Sequence, residues 1–381
     1  MGEHEAYPDN TTLKKILLVV NIIILSIGTT GGPLIMRLYF IHGGKRVWLS
    51  SWLETAGWPI NIAPLTISYI YRRRQWAAAT AKGASSGLAP GPVLMKPFLF
   101  VASAVVGILT GLDDYLYAYG AARLPVSTSS LIIASQLAFT AGFAFLLVKQ
   151  REQYIYTCRF TSYSINSVFL LTLAAVVLGL HAGSDRPEGE SDRVYTIGFM
   201  MTVAAAALYG FVLPLVELSY KKGKQAITYS LVLEYQLVMC FFATAFCTVG
   251  MLINKDFQVI PREAKEFGLG EFTYYVIIVC SAIVWQCFFL GAIGVIFCAS
   301  SLSSGIIIAI MLPVTEVLGV IFFKEKFTAE KGVSLVLSLW GFVSYFYGEI
   351  KHTKKRNLNQ SQKQKQNQPP PEMEMNNQSL P

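Results

Sequence analysis

Apolar runs alternate with short polar breaks along this chain at a length that matches a bilayer. A helix crosses the hydrocarbon core with about 20 apolar residues. Ten stretches read as such spans: 13–39, 47–71, 95–119, 125–148, 165–182, 194–219, 228–253, 272–297, 302–323 and 330–349. The fifth is short and follows the polar CRFTSYS. Of the connections, 83–92 is rich in Gly, Ser and Pro and predicts a flexible loop. The stretch 255–271 mixes charged and apolar positions and predicts a short amphipathic helix. Past Lys351 the chain becomes a run of Lys, Asn, Gln and Pro that cannot bury a core, so 351–381 reads as a disordered tail.

The spans repeat. SSLSSGIIIAIMLPVTEVLGVIFFKEK aligns without a gap to STSSLIIASQLAFTAGFAFLLVKQR, 175 positions earlier, placing Ser129/Ser304, Ile132/Ile307, Ala134/Ala309, Leu137/Leu312 and Lys149/Lys324 in register. A half with an odd number of spans sits upside down relative to its twin. The expected fold is therefore an all-α membrane protein of ten transmembrane helices as two inverted five-helix repeats, 13–182 and 194–350, between the tails 1–12 and 351–381. Such folds place a transport site between the halves.

Composition agrees. Only 14% of residues are charged and 53% are hydrophobic, whereas soluble domains carry about 25% charge. The first apolar run, from Leu13, is too long for a secretory leader and lacks a cleavage site, so it is expected to stay as a span. The net charge of +8 gathers beside spans, at Arg72 to Arg74, at Lys221, Lys222 and Lys224, and from Lys351 to Arg356, which favours orientation by lipid over binding to nucleic acid. With the N-terminus inside, inner loops hold 17 Lys and Arg against 11 outside, so both termini are expected in the cytosol. The six cysteines form no CxxC and read as small apolar packers. No P-loop or HExxH motif is present, so an ATP-driven pump and a zinc protease are excluded. No cofactor is implied.

Ionisable and amide groups within spans are costly and mark function. Glu54 and Glu234 match at an offset of 180, each preceded by Leu, and suggest a pair of inversely related ligands on one pathway; the plainer reading has both near an interface, reaching water. Of Asp113 and Asp114, one reads as a solvated span end and the other as either lining or structural. Glu316, after Pro313, reads as an acid hydrogen-bonded in a helix contact, and Glu217, beside Lys221, as a surface group. Gln136 and the Trp285-Gln286 pair lie halfway through their spans, where an amide needs a partner and Trp is unusual. A flat heteroaromatic solute accounts for both, although Trp285 alone fits helix packing equally well. Tyr115, Tyr117 and Tyr119 spread around one helix, so at most one or two of them line a cavity, with Tyr117 the candidate. GTTGGP at 28–33 and LPL at 213–215 are expected to interrupt the first and sixth spans.

A set of motifs in order carries a resemblance: GGPLIMRLYFIHGGKR at 31–46, WLETAGWPI at 52–60, LPVSTSSLIIASQLAFTA at 124–141, WQCFFLGAIG at 285–294, SSLSSG at 300–305, LPVTEVLGVIFFKEKF at 312–327 and LWGFVSYFYGEIK at 339–351. Together they resemble the plant purine permeases, a branch of the drug/metabolite transporters. The resemblance implies a multi-pass membrane carrier, not an enzyme, that imports adenine, cytokinins and related planar nitrogen heterocycles by proton symport, with the plasma membrane its expected location. It also implies glutamine at position 54 in many relatives, which leaves Glu234 as the foremost proton-coupling acid and Asp113 as the second. The expected substrate ligands are Glu54, Tyr117, Gln136, Trp285 and Gln286. An alkaloid-specialised permease is the alternative within this class; a non-transporting membrane scaffold or receptor is the alternative outside it.

The orientation has a direct test. The sequons at Asn10, Asn359 and Asn377 all fall in tails assigned to the cytosol and should carry no glycan. A glycosidase-sensitive mass shift traced to Asn10 or Asn359 would reverse the topology.

Overall fold

The structure, a computed structural model, describes residues 11–81, 89, 91–149, 162–180 and 191–366. Among them it is helical, with no strand: α1 Thr11–Ile41, α2 Val47–Thr55, a 3-10 turn Trp58–Asn61, α3 Ile62–Ala81, α4 Pro97–Ala121, α5 Val126–Ala134, α6 Gln136–Lys149, α7 Ser162–Leu180, α8 Asp192–Lys222, α9 Tyr229–Ile253, α10 Asp256–Glu266, α11 Glu271–Cys298, α12 Ser301–Phe323 and α13 Ala329–Gln366. Seven stretches are long and apolar enough to cross a membrane: Leu13–Ile41, Pro97–Ala121, Val126–Leu147, Asp192–Lys222, Tyr229–Ile253, Glu271–Cys298 and Ser301–Phe323. Of the other three expected spans, the second is divided at Ala56, the fifth coincides with α7, and the tenth is the first part of α13, which runs on into the polar tail.

Outward faces are apolar. On α4, Phe98, Val101, Val105, Ile108 and Leu112 are all exposed at helical spacing, a stripe stable only where the surroundings are hydrocarbon. Inward faces meet through small residues. A Cβ on Gly28 would fall on the Phe288 backbone, and one on Gly291 on the Leu25 backbone, so α1 and α11 approach closely at both points. Gly107 and Gly111 admit the α9 backbone at Met239 and Ala243, and Gly210 admits α6 at Phe139 and Thr140. The resulting neighbours are α1 on α11, α4 on both α8 and α9, α6 on α8, α5 on α12, and α7 on α13, with α2 wedged among α4, α9 and α11.

Helix ends are held by side chains. Ser191, Thr228 and Ser300 cap α8, α9 and α12 by accepting from the N–H groups of Val194, Leu231 and Ser303. The amphipathic helix expected in 255–271 is α10. It lies as a strap across one end of the bundle, where Glu263 accepts from the Tyr39 and Tyr274 hydroxyls and the Lys45 N–H. Arg46 lies 3.5 Å from both Glu263 and Asp256. Burial raises the Asp256 carboxyl above the ordinary range, against the opposing pull of its Asn254 bond and of Arg46.

Three expectations differ from what is observed. GTTGGP and LPL do not interrupt their spans, for α1 and α8 run unbroken through Pro33 and Pro214. The glycines serve close packing instead, and a proline removes one ladder bond without ending a helix that its neighbours support. The breaks fall in the second span, between α2 and α3, and in the fourth, at Ser135 between α5 and α6. The tail is not irregular from Lys351, because α13 continues to Gln366. Glycine-rich 83–92 lies almost wholly outside the described residues, as do Asn10, Asn377 and 367–381.

Gly28→Ala should therefore destabilise the α1–α11 crossing by about 1–3 kcal/mol. Gly142→Ala meets nothing within 4 Å and should leave the protein as stable or more so. Thermal unfolding of the two variants in detergent compares them; equal midpoints would refute the crossing.

Candidate functional site

The two helix breaks place two of the expected site residues. Glu54 is next to last in α2, one turn before the 3-10 segment, and Gln136 opens α6 directly after Ser135. Irregular backbone at membrane depth is tolerated where it faces protein or a cavity. Beside the two breaks, Glu54 and Gln136 line one cavity between the helices. Its walls come from α1 (Thr29, Pro33), α2 (Glu54), α4 (Asp113, Asp114, Tyr117), α5 and α6 (Ser130, Ile133, Gln136), α8 (Ala205, Tyr209), α11 (Trp285, Phe288, Phe289) and α12 (Ile308, Leu312).

One wall is aromatic. Tyr117 meets Trp285 edge-to-face at 5.7 Å, Phe288 meets Trp285 at 5.5 Å, and Tyr209 lies 5.6 Å from Phe288. Gly32 makes this geometry possible, since a Cβ there would sit 2.8 Å from the Trp285 ring. The polar atoms opposite are unspent. Glu54 Oε1, Asp113 Oδ1, both Asp114 carboxylate oxygens, Gln136 Nε2 and Trp285 Nε1 are buried and make no hydrogen bond among the described residues. Among the described residues, no Lys, Arg or His lines the cavity. Three buried carboxyl groups facing one cavity with these acceptors free leave room for a donor-rich ligand to satisfy them.

The other expected residues fall elsewhere. Gln286 packs against Gly57 in the break of the second span and does not reach the cavity wall. Glu234 also lies off the cavity: its carboxylate accepts from the Leu94 and Met95 N–H groups at 2.9 and 3.0 Å, just ahead of α4. The offset that pairs it with Glu54 thus does not bring the two acids to one pathway. Glu316 is fully buried with neither oxygen hydrogen-bonded among the described residues, contrary to its expected bonded role. Neither Asp113 nor Asp114 is solvated. Glu217 accepts from the Ser301 N–H at 2.8 Å and caps α12 while pairing with Lys221 at 3.0 Å. Tyr115 stacks on Trp48 and Tyr119 on Arg123, leaving Tyr117 alone of the three in the cavity. Sequence reasoning missed Tyr209, Thr29 and Asp114. Tyr209 follows Thr29 by 180 positions, the offset already used for Glu54 and Glu234, so the repeat held the signal.

Residues 16–355 match a family model described as purine nucleobase transmembrane transport. The chain belongs to this family of purine nucleobase transporters. It is 56% identical to purine permease 3 of Arabidopsis thaliana over 91% of this chain and 94% of that one. It is 52% identical to purine permease 2 of the same plant over 90% and 94%. One solved crystal structure superposes with a TM-score of 0.50 at 13% identity, covering 86% of this chain and 96% of that one, a likeness of fold alone. The purine permease family is one of integral multi-pass membrane transporters, not enzymes.

Trp285→Ala should raise the KM for nucleobase uptake about tenfold or more, since stacking of one base on an aromatic ring is worth about 1–3 kcal/mol. Tyr115→Ala, outside the cavity, should leave KM within about twofold. Uptake kinetics in a transport-deficient host compare them.

Proposed function

We propose that the protein is a proton-coupled importer of planar nitrogen heterocycles, adenine and cytokinins foremost, working as two inverted five-helix halves about the central cavity. The cavity carries this reading: a stacking wall faces donors and acceptors that no protein group satisfies. An aminopurine fits both. Its ring slides against Trp285, Tyr117 and Phe288, its N–H groups give hydrogen bonds to Glu54 and Asp113, and its ring nitrogens accept from Gln136 and Trp285.

The inverted halves are supported by the packing. If the ten spans are numbered in order, exchanging the first five with the last five turns the α1–α11 contact into the α8–α4 contact, and α12–α1 into α6–α8. Both members of each pair are present. The α5–α12, α2–α9 and α7–α13 contacts map onto themselves, as contacts on a two-fold axis do.

For the proton, Glu234 was the sequence's first choice, and its bonds to the Leu94 and Met95 backbone instead make it a cap that holds the approach to α4. The cavity acids are better placed. Asp113 is 8% exposed against 3% for Glu54 and 1% for Asp114, so a proton arriving through the cavity meets Asp113 first. Protonation there neutralises the site before it turns, and substrate and proton travel together.

Uptake should rise as external pH falls and collapse with an uncoupler. Asp113→Asn should abolish pH-driven accumulation in vesicles while sparing exchange of labelled for unlabelled solute. Glu54→Gln should mainly change affinity, and Glu234→Gln should keep its pH dependence. Normal pH-driven accumulation by Asp113→Asn, or its loss in Glu234→Gln alone, would return the coupled proton to the α9 acid.

A further inference from the structure

A second group of buried charges lies one helical turn beyond the cavity. Three cavity-lining residues lead to it along their own helices: Pro33 to Arg37 on α1, Ser130 back to Ser127 on α5, and Leu312 on to Glu316 on α12. Where they converge, Glu325 of the α12–α13 connection accepts from the Val126 and Ser127 N–H groups at 2.8 and 3.0 Å and from the Ser127 hydroxyl at 2.6 Å. Arg37 Nε stands 3.7 Å from the same carboxylate. Lys331, the first-turn lysine of α13, donates to Ser127 Oγ at 2.7 Å and to the Lys326 carbonyl at 3.1 Å.

We propose that this group is a latch that closes the substrate cavity at the end where α1 terminates, with Glu325 as its shared anchor. Its members come from both halves of the chain. Arg37 and Ser127 belong to the first, Glu325 and Lys331 to the second, so the bonds among them join surfaces that must part for solute to pass. A mere helix cap needs only the Glu325 contacts with the first N–H groups of α5. It does not need Arg37 or Lys331, both largely buried at side-chain exposures of 14% and 0%. Removing one member leaves the others charged and desolvated, which favours the parted state, where water reaches them.

The inference rests on reading the cavity as the solute path, yet its test needs no solute. Leu312→Cys places a reporter thiol in the cavity wall, and a membrane-impermeant thiol reagent is applied to sealed vesicles on the face where α1 ends; protein without the reporter supplies the native-cysteine background. Glu325→Gln retains a carbonyl acceptor for α5 but loses the charge that holds Arg37, and it should raise the reporter's labelling rate about fivefold or more. Arg37→Gln leaves the α5 cap untouched and should do the same, so it decides the matter if Glu325→Gln fails to fold. Arg37→Lys should label near the parent rate. The double variant should label no faster than the faster single, because both break one shared contact. Parent-rate labelling in folded Arg37→Gln, or rates in the double variant that multiply as for independent sites, would reduce the group to a structural cap. Unchanged labelling in a variant that still transports would overturn the latch and leave the cavity reading of function standing.

Discussion

Inside hydrocarbon a backbone amide has no water to turn to, and that constraint shapes everything else in this fold. Any span may leave helical geometry only where other protein or a cavity receives the freed groups. Among the described residues this happens at Ala56 to Asn61, where Gly57 and Asn61 are buried against protein, and at Ser135, which is buried. Glu54 and Gln136 stand beside them. The cavity thus lies beside the places where helical continuity is interrupted, and the continuous helices α1, α8 and α11 contribute its walls.

Close approach of those walls follows from glycine. Where α1 and α11 touch, no side chain separates the backbones, and dispersion contacts take over from an absent hydrophobic drive between helices in lipid. Gly32 has a further effect, for the space it leaves is filled by the Trp285 indole. The same residue type therefore both joins the two helices and shapes the ring surface of the cavity.

Much of this was legible in the residues. Apolar length located seven membrane-length helices, and mid-span depth singled out Gln136 and Trp285, which do line the cavity. The offset misled where it was read as shared function. Glu54 and Glu234 occupy matching positions, but Glu234 finds the Leu94 and Met95 N–H groups while Glu54 faces open space. Those contacts depend on how residues 91–96, just ahead of α4, are placed, which no periodicity encodes. The helix breaks were missed for a related reason: glycine and proline mark a place where a helix can yield, whereas its neighbours decide whether it does. Asp114 was hidden by Asp113, since adjacent helix positions differ by about 100° and only a cavity spanning that arc admits both.

The α10 strap has a mechanical consequence. With Glu263 binding Tyr39, Tyr274 and the Lys45 backbone at one end of the bundle, that end of α1 is tied to α10 and α11 and moves only with them. A helix of 31 residues is about 46 Å long, so a turn of about 5° at the strap sweeps the far end through about 4 Å. The lever is long because α1 is unbroken. A kink at Pro33 would have absorbed the rotation locally, and the continuity that the glycines allow is what carries a small angular change across the full thickness of the membrane.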